Sequence, residues 1–105
     1  PNKYPSNTRP VESKIKDAVF DIIGNVYMAR CLDLFAGTGA FGLEALSRGA
    51  REVIFNDIHG YKLNYIETLL KRWNFPIKNY KFIKMDAIKL IKALHKKRER
   101  FDIVF

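Results

Sequence analysis

One stretch constrains the fold of this chain more than any other, because a strand-like run, a glycine-rich loop and a helix-like segment follow one another in it. The run "RCLDLF" from Arg30 reads as a short buried strand, and "AFGLEALSRG" reads as a helix that ends at Gly49. Gly37, Gly39 and Gly42 form a G-x-G-x-x-G pattern there. In a strand–loop–helix unit, such glycines let the backbone approach a ligand beside the helix N-terminus.

The rest of the chain continues this alternation of strands and helices. Residues 1–9, "PNKYPSNTR", predict an extended N-terminal arm, and residues 10–105 predict one ligand-binding domain. A first helix is predicted from Pro10 to a stop at Gly24. The other predicted strands are Glu52–Asp57, Tyr80–Met85 and Phe101–Phe105, and the other predicted helices are Tyr61–Trp73 and Asp86–Lys97. On the first helix, the predicted inward face comprises Val11, Ile15, Ala18, Val19, Ile22 and Ile23.

This order of elements predicts an α/β fold with a parallel, doubly wound, Rossmann-like sheet and right-handed crossovers. Four strands are fewer than a finished sheet of this kind contains. We therefore expect the chain to be truncated after the fourth strand.

Composition restricts the partners and the setting. The chain has 105 residues and a formal net charge of +8 at pH 7, a field that attracts polyanions such as nucleic acid. Arg30, Asp33 and Glu44 interrupt the best candidate for a membrane span. Cys31, the single cysteine, reads as a small buried hydrophobe and suits a reducing, cytoplasmic setting. His59 and His95 lie too far apart in sequence to suggest a zinc site.

Asp33 distinguishes the candidate ligands of the glycine loop. It lies on the predicted strand four residues before Gly37, where a carboxylate repels a pyrophosphate and attracts the ammonium group of S-adenosylmethionine. The alternative role is a carboxylate that caps nearby backbone amides.

Two further carboxylates follow the next two predicted strands. Asp57 lies 20 residues after Gly37 and can accept both hydroxyls of a ribose, or it can cap the helix that begins near His59. Asp86 can accept the amino group of an adenine beside Ala87, or it can be the N-cap of the following helix. Three acids at consecutive strand ends favour S-adenosylmethionine over a nicotinamide cofactor.

Several segments resemble one known family. "TRPVESKIKDAVFDII", "LDLFAGTGAFGLEALSRGA", "IFND" and "FDIVF" are similar to the N-terminal part of bacterial 16S ribosomal RNA guanine-N2 methyltransferases, which are class I enzymes that use S-adenosylmethionine. The resemblance covers about Thr8 to Phe105, nearly the whole chain.

The resemblance implies a role for each candidate residue. Asp33, Gly37 and Gly39 line the methionine side of the cofactor, Asp57 binds the ribose, and Asp86 with Ala87 lies at the adenine. Phe35 and Ile58 complete the candidate cofactor site. In the family, an Asp-Pro-Pro-Tyr type motif follows a strand like "FDIVF". This chain stops before such a motif, so we expect no catalytic residue within it and no methyl transfer by the chain as given.

Charge and resemblance together predict the partners. Candidate RNA-binding residues are Lys3 and Arg9 in the arm and Lys14 and Lys16 on the first helix, and the expected partner of a monomer is 16S ribosomal RNA or the small ribosomal subunit. The alternatives are an amino-methyltransferase of DNA or of another RNA, a small-molecule methyltransferase, a nicotinamide-dependent oxidoreductase and a non-catalytic nucleic-acid-binding module.

Overall fold

The computed structural model describes residues 11–105, in which helices and strands alternate along the chain. The predicted arm at residues 1–9, with Lys3 and Arg9, and the predicted helix start at Pro10 lie outside the described residues. A short 3-10 helix at Ile77–Asn79, which the sequence pattern does not predict, precedes the third strand. The main elements are α1 (Val11–Ile23), β1 (Arg30–Asp33), α2 (Ala40–Ser47), β2 (Glu52–Asn56), α3 (Gly60–Arg72), β3 (Tyr80–Ile83), α4 (Ala87–Lys96) and β4 (Ile103–Val104).

The strands form one parallel sheet in the order β3-β2-β1-β4. Cys31 of β1 lies opposite Val53 of β2 on one side and Ile103 of β4 on the other. The chain builds β1, β2 and β3 in one direction and then crosses back to place β4 beyond β1. Ligands of open α/β sheets bind outside the carboxyl ends of the strands, where the strand order reverses. In this sheet that point lies between β1 and β4.

Helices cover both faces of the sheet. Successive strand residues point to opposite faces, so Cys31, Val53 and Phe55 pack against α1, α2 and α3, whereas Leu32 and Ile54 pack with Leu90 of α4. Cys31 is buried as predicted, and burial raises the pKa of its thiol to about 11. Within residues 11–105, no helix is long and apolar enough to cross a membrane.

The buried face of α1 differs from the predicted one. Ile15 and Ile22 are 56% and 85% exposed, whereas Phe20 is only 1% exposed. The Phe20 ring packs 5.5 Å from that of Phe105 and 6.4 Å from that of Phe41. A phenylalanine ring buries more apolar area than an isoleucine side chain, and here its aromatic partners come from distant parts of the chain. The helix is therefore turned toward Phe20.

Arg30 begins β1, at the amino ends of the strands, and joins this end of the sheet to the segment that leads into β4. Its guanidinium binds the Glu52 and Glu99 carboxylates at 2.7 Å each and donates to the Arg100 carbonyl at 2.8 Å. It also lies 4.5 Å from the centre of the Phe101 ring. Because several groups hold one guanidinium, this cluster fixes β4 beside β1 more firmly than a single exposed ion pair would.

Helix α2 lies unusually close to the sheet at Gly42. A β-carbon at this position would come within 2.3 Å of the Phe55 ring. Phe55 is fully buried and stacks on Phe82 at 5.6 Å, so its ring has little room to move away. Glycine is therefore required here for packing.

We expect Gly42→Ala to destabilise the protein by about 1–3 kcal/mol, because the added methyl group overpacks the contact with Phe55. Gly60→Ala is the matched control, since Gly60 opens α3 and its nearest neighbour, the side chain of Lys84, is 3.7 Å from the added carbon. The control is expected to leave stability unchanged or to raise it by up to about 1 kcal/mol. Urea denaturation measures both, and equal stabilities for the two variants would contradict the tight contact.

Candidate cofactor site

The glycine-rich loop joins β1 to α2 at the carboxyl end of β1, and backbone hydrogen bonds hold it against β2. The amide of Ala36 donates to the carbonyl of Asn56 at 2.8 Å, and the amide of Gly39 donates to the carbonyl of Ala36 at 2.7 Å. The loop is thus a fixed turn whose shape is set by its neighbour in the sheet.

The first two glycines of this loop have different roles. Both have positive φ, 55° at Gly37 and 84° at Gly39, which glycine adopts without strain. A β-carbon at Gly39 would come within 2.8 Å of Ile66, whereas one at Gly37 would meet only the Phe35 carbonyl oxygen at 3.9 Å. Gly39 is therefore required for packing under the loop, and Gly37 leaves free space on the open side of the loop.

Asp33 places a buried carboxylate beneath the start of α2. It is 3% exposed, and its Oδ2 accepts the amide of Gly42 at 3.3 Å. Burial raises the pKa of this carboxyl to about 6, with the hydrogen bond from Gly42 opposing and the charge of Asp57 adding to the increase. No ion pair joins Asp33 to a cationic side chain within residues 11–105. Asp33 caps an amide, as the alternative reading allowed, and it also presents negative charge that a cation could stabilise.

Asp57 holds the loop from the end of β2. Its Oδ2 accepts the amide of Gly37 at 2.9 Å, and its Oδ1 accepts the amide of His59 at 2.9 Å. Although burial raises the pKa of Asp57, the hydrogen bonds from His59 and Gly37 lower it below its ordinary value. Asp57 is not the N-cap residue of α3, because that position belongs to His59.

Asp86 follows β3 and is the N-cap of α4. Its Oδ2 accepts the amide of Lys89 at 3.1 Å, which confirms the capping role that the sequence left open. Asp86 is exposed and Ala87 is buried at the first position of α4. The adenine role of this pair stays a prediction.

Phe35 and Ile58 follow the ends of β1 and β2, and their side chains are 77% and 57% exposed. Large apolar side chains at these positions offer surface to the face of a planar ring. Direct hydrogen bonds thus connect Asp33 and Asp57 to the glycine motif, with Phe35 and Ile58 open beside them.

The sequence prediction missed two residues at this edge. Asn56 is the fully buried polar residue of β2, and its amide bonds to the carbonyls of Leu34 and Met85. His59 has its Nδ1 3.2 Å from Asp57 Oδ1. The only signal for Asn56 in the sequence is its position directly after "VIF", and nothing in the sequence pattern indicates a role for His59. Within residues 11–105, no cluster of His, Cys, Asp and Glu is arranged to hold a metal ion.

The two predicted RNA-binding lysines of α1 have different surroundings. Lys14 is exposed, whereas Lys16 pairs with Glu44 of α2 at 3.2 Å. Burial raises the pKa of Glu44, but its bonds to Arg48 and Lys16 outweigh this and leave it below its ordinary value. Lys16 therefore links α1 to α2, and Lys14 remains available to a partner.

The parallel sheet, the glycine loop at its reversal point and the acids at consecutive strand ends define a Rossmann-like domain of the class I methyltransferase type. The chain belongs to the family described as Conserved hypothetical protein 95, which matches residues 2–105. The predicted fold class and the family resemblance are confirmed.

Similar proteins support this assignment. YlbH of Bacillus subtilis is 35% identical over 101 residues, which cover 95% of this chain and 54% of YlbH. Ribosomal RNA small subunit methyltransferase D of Haemophilus influenzae is 29% identical over 98 residues, which cover 92% of this chain and 50% of that protein. The solved SAM-dependent methyltransferase of Agrobacterium tumefaciens shares the fold, with a TM-score of 0.68 and 23% identity over 88% of this chain and 28% of its own. The chain spans about half the length of the curated relatives it matches.

We expect Asp33→Asn to stabilise the ligand-free protein near neutral pH. The folded-state pKa of Asp33, about 6, lies above the ordinary value of 3.8. The ionisation of Asp33 therefore lowers the free energy of unfolding as the pH rises from about 4 to about 6. Above pH 6 the full loss of stability remains. A shift of this size corresponds to up to about 3 kcal/mol. The side-chain oxygen of the new asparagine can still accept the hydrogen bond from the Gly42 amide.

Thermal unfolding from pH 4 to pH 8 measures this effect. The stability advantage of Asp33→Asn is expected to be near zero at pH 4 and to reach its full value above pH 6. A constant advantage across this range would show that the carboxylate of Asp33 is not held at a raised pKa.

Proposed function

We propose that the protein is an S-adenosylmethionine-dependent methyltransferase and that its substrate is the exocyclic amino group of a guanine in 16S ribosomal RNA. The observation that carries the cofactor assignment is the buried carboxylate of Asp33, which lies at the carboxyl end of β1 beside the glycine loop. The names of the rRNA methyltransferase relatives support the substrate class.

The residues at the strand ends fit this cofactor. Asp33 provides negative charge for an ammonium group, and Gly37 leaves the open space that a close backbone approach needs. Asp57 has carboxylate oxygens that can exchange a backbone partner for ribose hydroxyls. Ile58, Asp86 and Ala87 are proposed for the adenine, because Ile58 exposes an apolar side chain and Asp86 with Ala87 begins α4 after the neighbouring strand.

The bound cofactor would supply a methyl group on a sulfonium, and an amino nitrogen would attack that methyl carbon in line as the thioether sulfur leaves. The contribution of this chain is to bind and orient, because proximity and alignment account for much of the acceleration in such transfers. None of its residues is assigned as a catalytic base. A guanine amino group must leave a base pair before it can react, so an unpaired or splayed-out nucleotide is the expected target.

The RNA partner is supported by charge and by exposed lysines. The net charge is +8, and Lys14 and the basic face of α4, formed by Lys89, Lys92 and Lys96, are exposed. Phosphate contacts of this kind give affinity that falls steeply with salt. The protein is further proposed to act as a monomer in the cytoplasm.

A ligand-binding comparison tests the cofactor assignment. S-adenosylmethionine is expected to raise the thermal midpoint of the protein, and NAD is not. Asp33→Asn is expected to weaken S-adenosylmethionine binding about 10- to 100-fold, because a charge-assisted hydrogen bond becomes a neutral one. Stabilisation by NAD alone would assign the glycine loop to a dinucleotide and overturn the proposal.

A pair of lysine variants tests the RNA-binding surface. Lys14→Ala is expected to weaken binding of a 16S rRNA fragment and to reduce the slope of log K against log salt by about 1. Lys16→Ala is the control, since it removes the ion pair with Glu44. It is expected to lower the thermal midpoint and to change the RNA affinity less than Lys14→Ala does. Filter binding at several salt concentrations measures both. Equal RNA affinity for Lys14→Ala and the unchanged protein would show that Lys14 is not part of the RNA-binding surface.

A further inference from the structure

Asn56 is the polar residue that the cofactor assignment leaves unexplained. It ends β2 and is fully buried, directly after the three buried apolar residues Val53, Ile54 and Phe55. An amide is costly to bury unless its groups find hydrogen-bond partners. An apolar residue would fill this position at lower cost, so the asparagine needs a reason beyond packing.

The side chain of Asn56 bonds to two loops at once. Its Nδ2 donates to the carbonyl of Leu34 at 3.0 Å and to the carbonyl of Met85 at 2.9 Å. Its backbone carbonyl accepts the amide of Ala36 at 2.8 Å. Because both partners of Nδ2 are carbonyl oxygens, only the donor end of the amide can face them. One side chain therefore fixes the loop after β1 and the loop after β3 to the end of β2.

The oxygen of the same side-chain amide shows that burying Asn56 costs stability. Asn56 Oδ1 is buried and has no hydrogen-bond partner in the part of the chain that the structure describes. A buried acceptor without a partner destabilises a fold. The chain nevertheless retains a group that can donate in two directions at this point.

The two loops carry opposite halves of the proposed cofactor site. Leu34 directly follows Asp33 and precedes the glycine loop on the methionine side. Met85 directly precedes Asp86 and Ala87 on the adenine side. We propose that Asn56 is a positioning residue that holds these two halves at a fixed separation, so that one ligand can contact both. This inference rests on the proposed function.

Asn56→Leu tests the connection, because leucine has the same branched side-chain skeleton and cannot donate. We expect amide hydrogen exchange to quicken at least about tenfold in both loops, at residues 34–37 and at the amides of Lys89 and Leu90, which bond to Asp86, while α3 keeps its protection. Val53→Ala is the matched control, since it weakens β2 three residues before Asn56 and removes no hydrogen-bonding side chain. Quickening in only one loop, or the same pattern in Val53→Ala, would overturn the proposal.

Cofactor binding provides the second measurement. S-adenosylhomocysteine, which reaches both halves, is expected to bind Asn56→Leu at least about tenfold more weakly, well below the unfolding temperature. Methylthioadenosine, which lacks the amino-acid half, should lose less than about threefold, and Val53→Ala should change neither affinity. Equal losses for the two ligands would mean that Asn56 does not set the separation of the halves.

The two measurements separate this inference from the proposed function. If the unchanged protein fails to bind S-adenosylhomocysteine, the cofactor assignment fails, whereas hydrogen exchange still decides whether Asn56 holds both loops. If Asn56→Leu does not fold, Asn56→Ser replaces it, because one hydroxyl can donate to one carbonyl only. At least one loop is then expected to exchange faster, and unchanged exchange in both would refute the role.

Discussion

The contact between α2 and the sheet at Gly42 is the constraint on which the cofactor site depends. Since no side chain separates the helix from the Phe55 ring, the first turn of α2 lies low over the sheet. The amide of Gly42 then comes within 3.3 Å of Asp33, and the connecting loop passes close enough to β2 for Gly37 to bond to Asp57. A helix held farther out would leave both carboxylates without these partners. The glycine motif therefore acts first through packing, and only Gly37 keeps its open side for a ligand.

Much of the fold could be predicted because its signals are local. Apolar runs, glycine stops and an N-cap aspartate at Asp86 depend on residues a few positions apart, and the elements they predict are present. The orientation of α1 could not be predicted, since the partners that bury Phe20 include Phe105, far along the chain. Helical spacing shows that a helix has an apolar face, but the sheet decides which side of that face is buried.

The site was predictable in its charges and not in its connections. The sequence alone shows the two acids Asp33 and Asp57 and their spacing from the glycine loop. In the sequence, Asn56 is visible only as one polar residue in an apolar strand. Its two hydrogen-bond partners could not be predicted, because they lie 22 and 29 residues away. The charge total was similarly incomplete, since it did not reveal that Lys16 and Arg30 pair with carboxylates inside the fold. Only the folded chain shows which cations remain available to an anionic partner.

The choice between two adenosyl ligands depends on one carboxylate. An acid at the end of β2 suits the ribose of either ligand, so Asp57 alone does not discriminate. Asp33 adds a second negative charge, close enough to Asp57 for the charge of Asp57 to raise its pKa, and it is buried where water screens little. At a separation of about 4 Å and an effective dielectric of about 20, one unit charge interacts with another by roughly 4 kcal/mol. A phosphate beside Asp33 would meet that energy as repulsion, whereas an ammonium group would meet it as attraction. The same glycine loop can thus serve both ligand classes, and the residue at the end of the preceding strand favours the aminoacyl sulfonium.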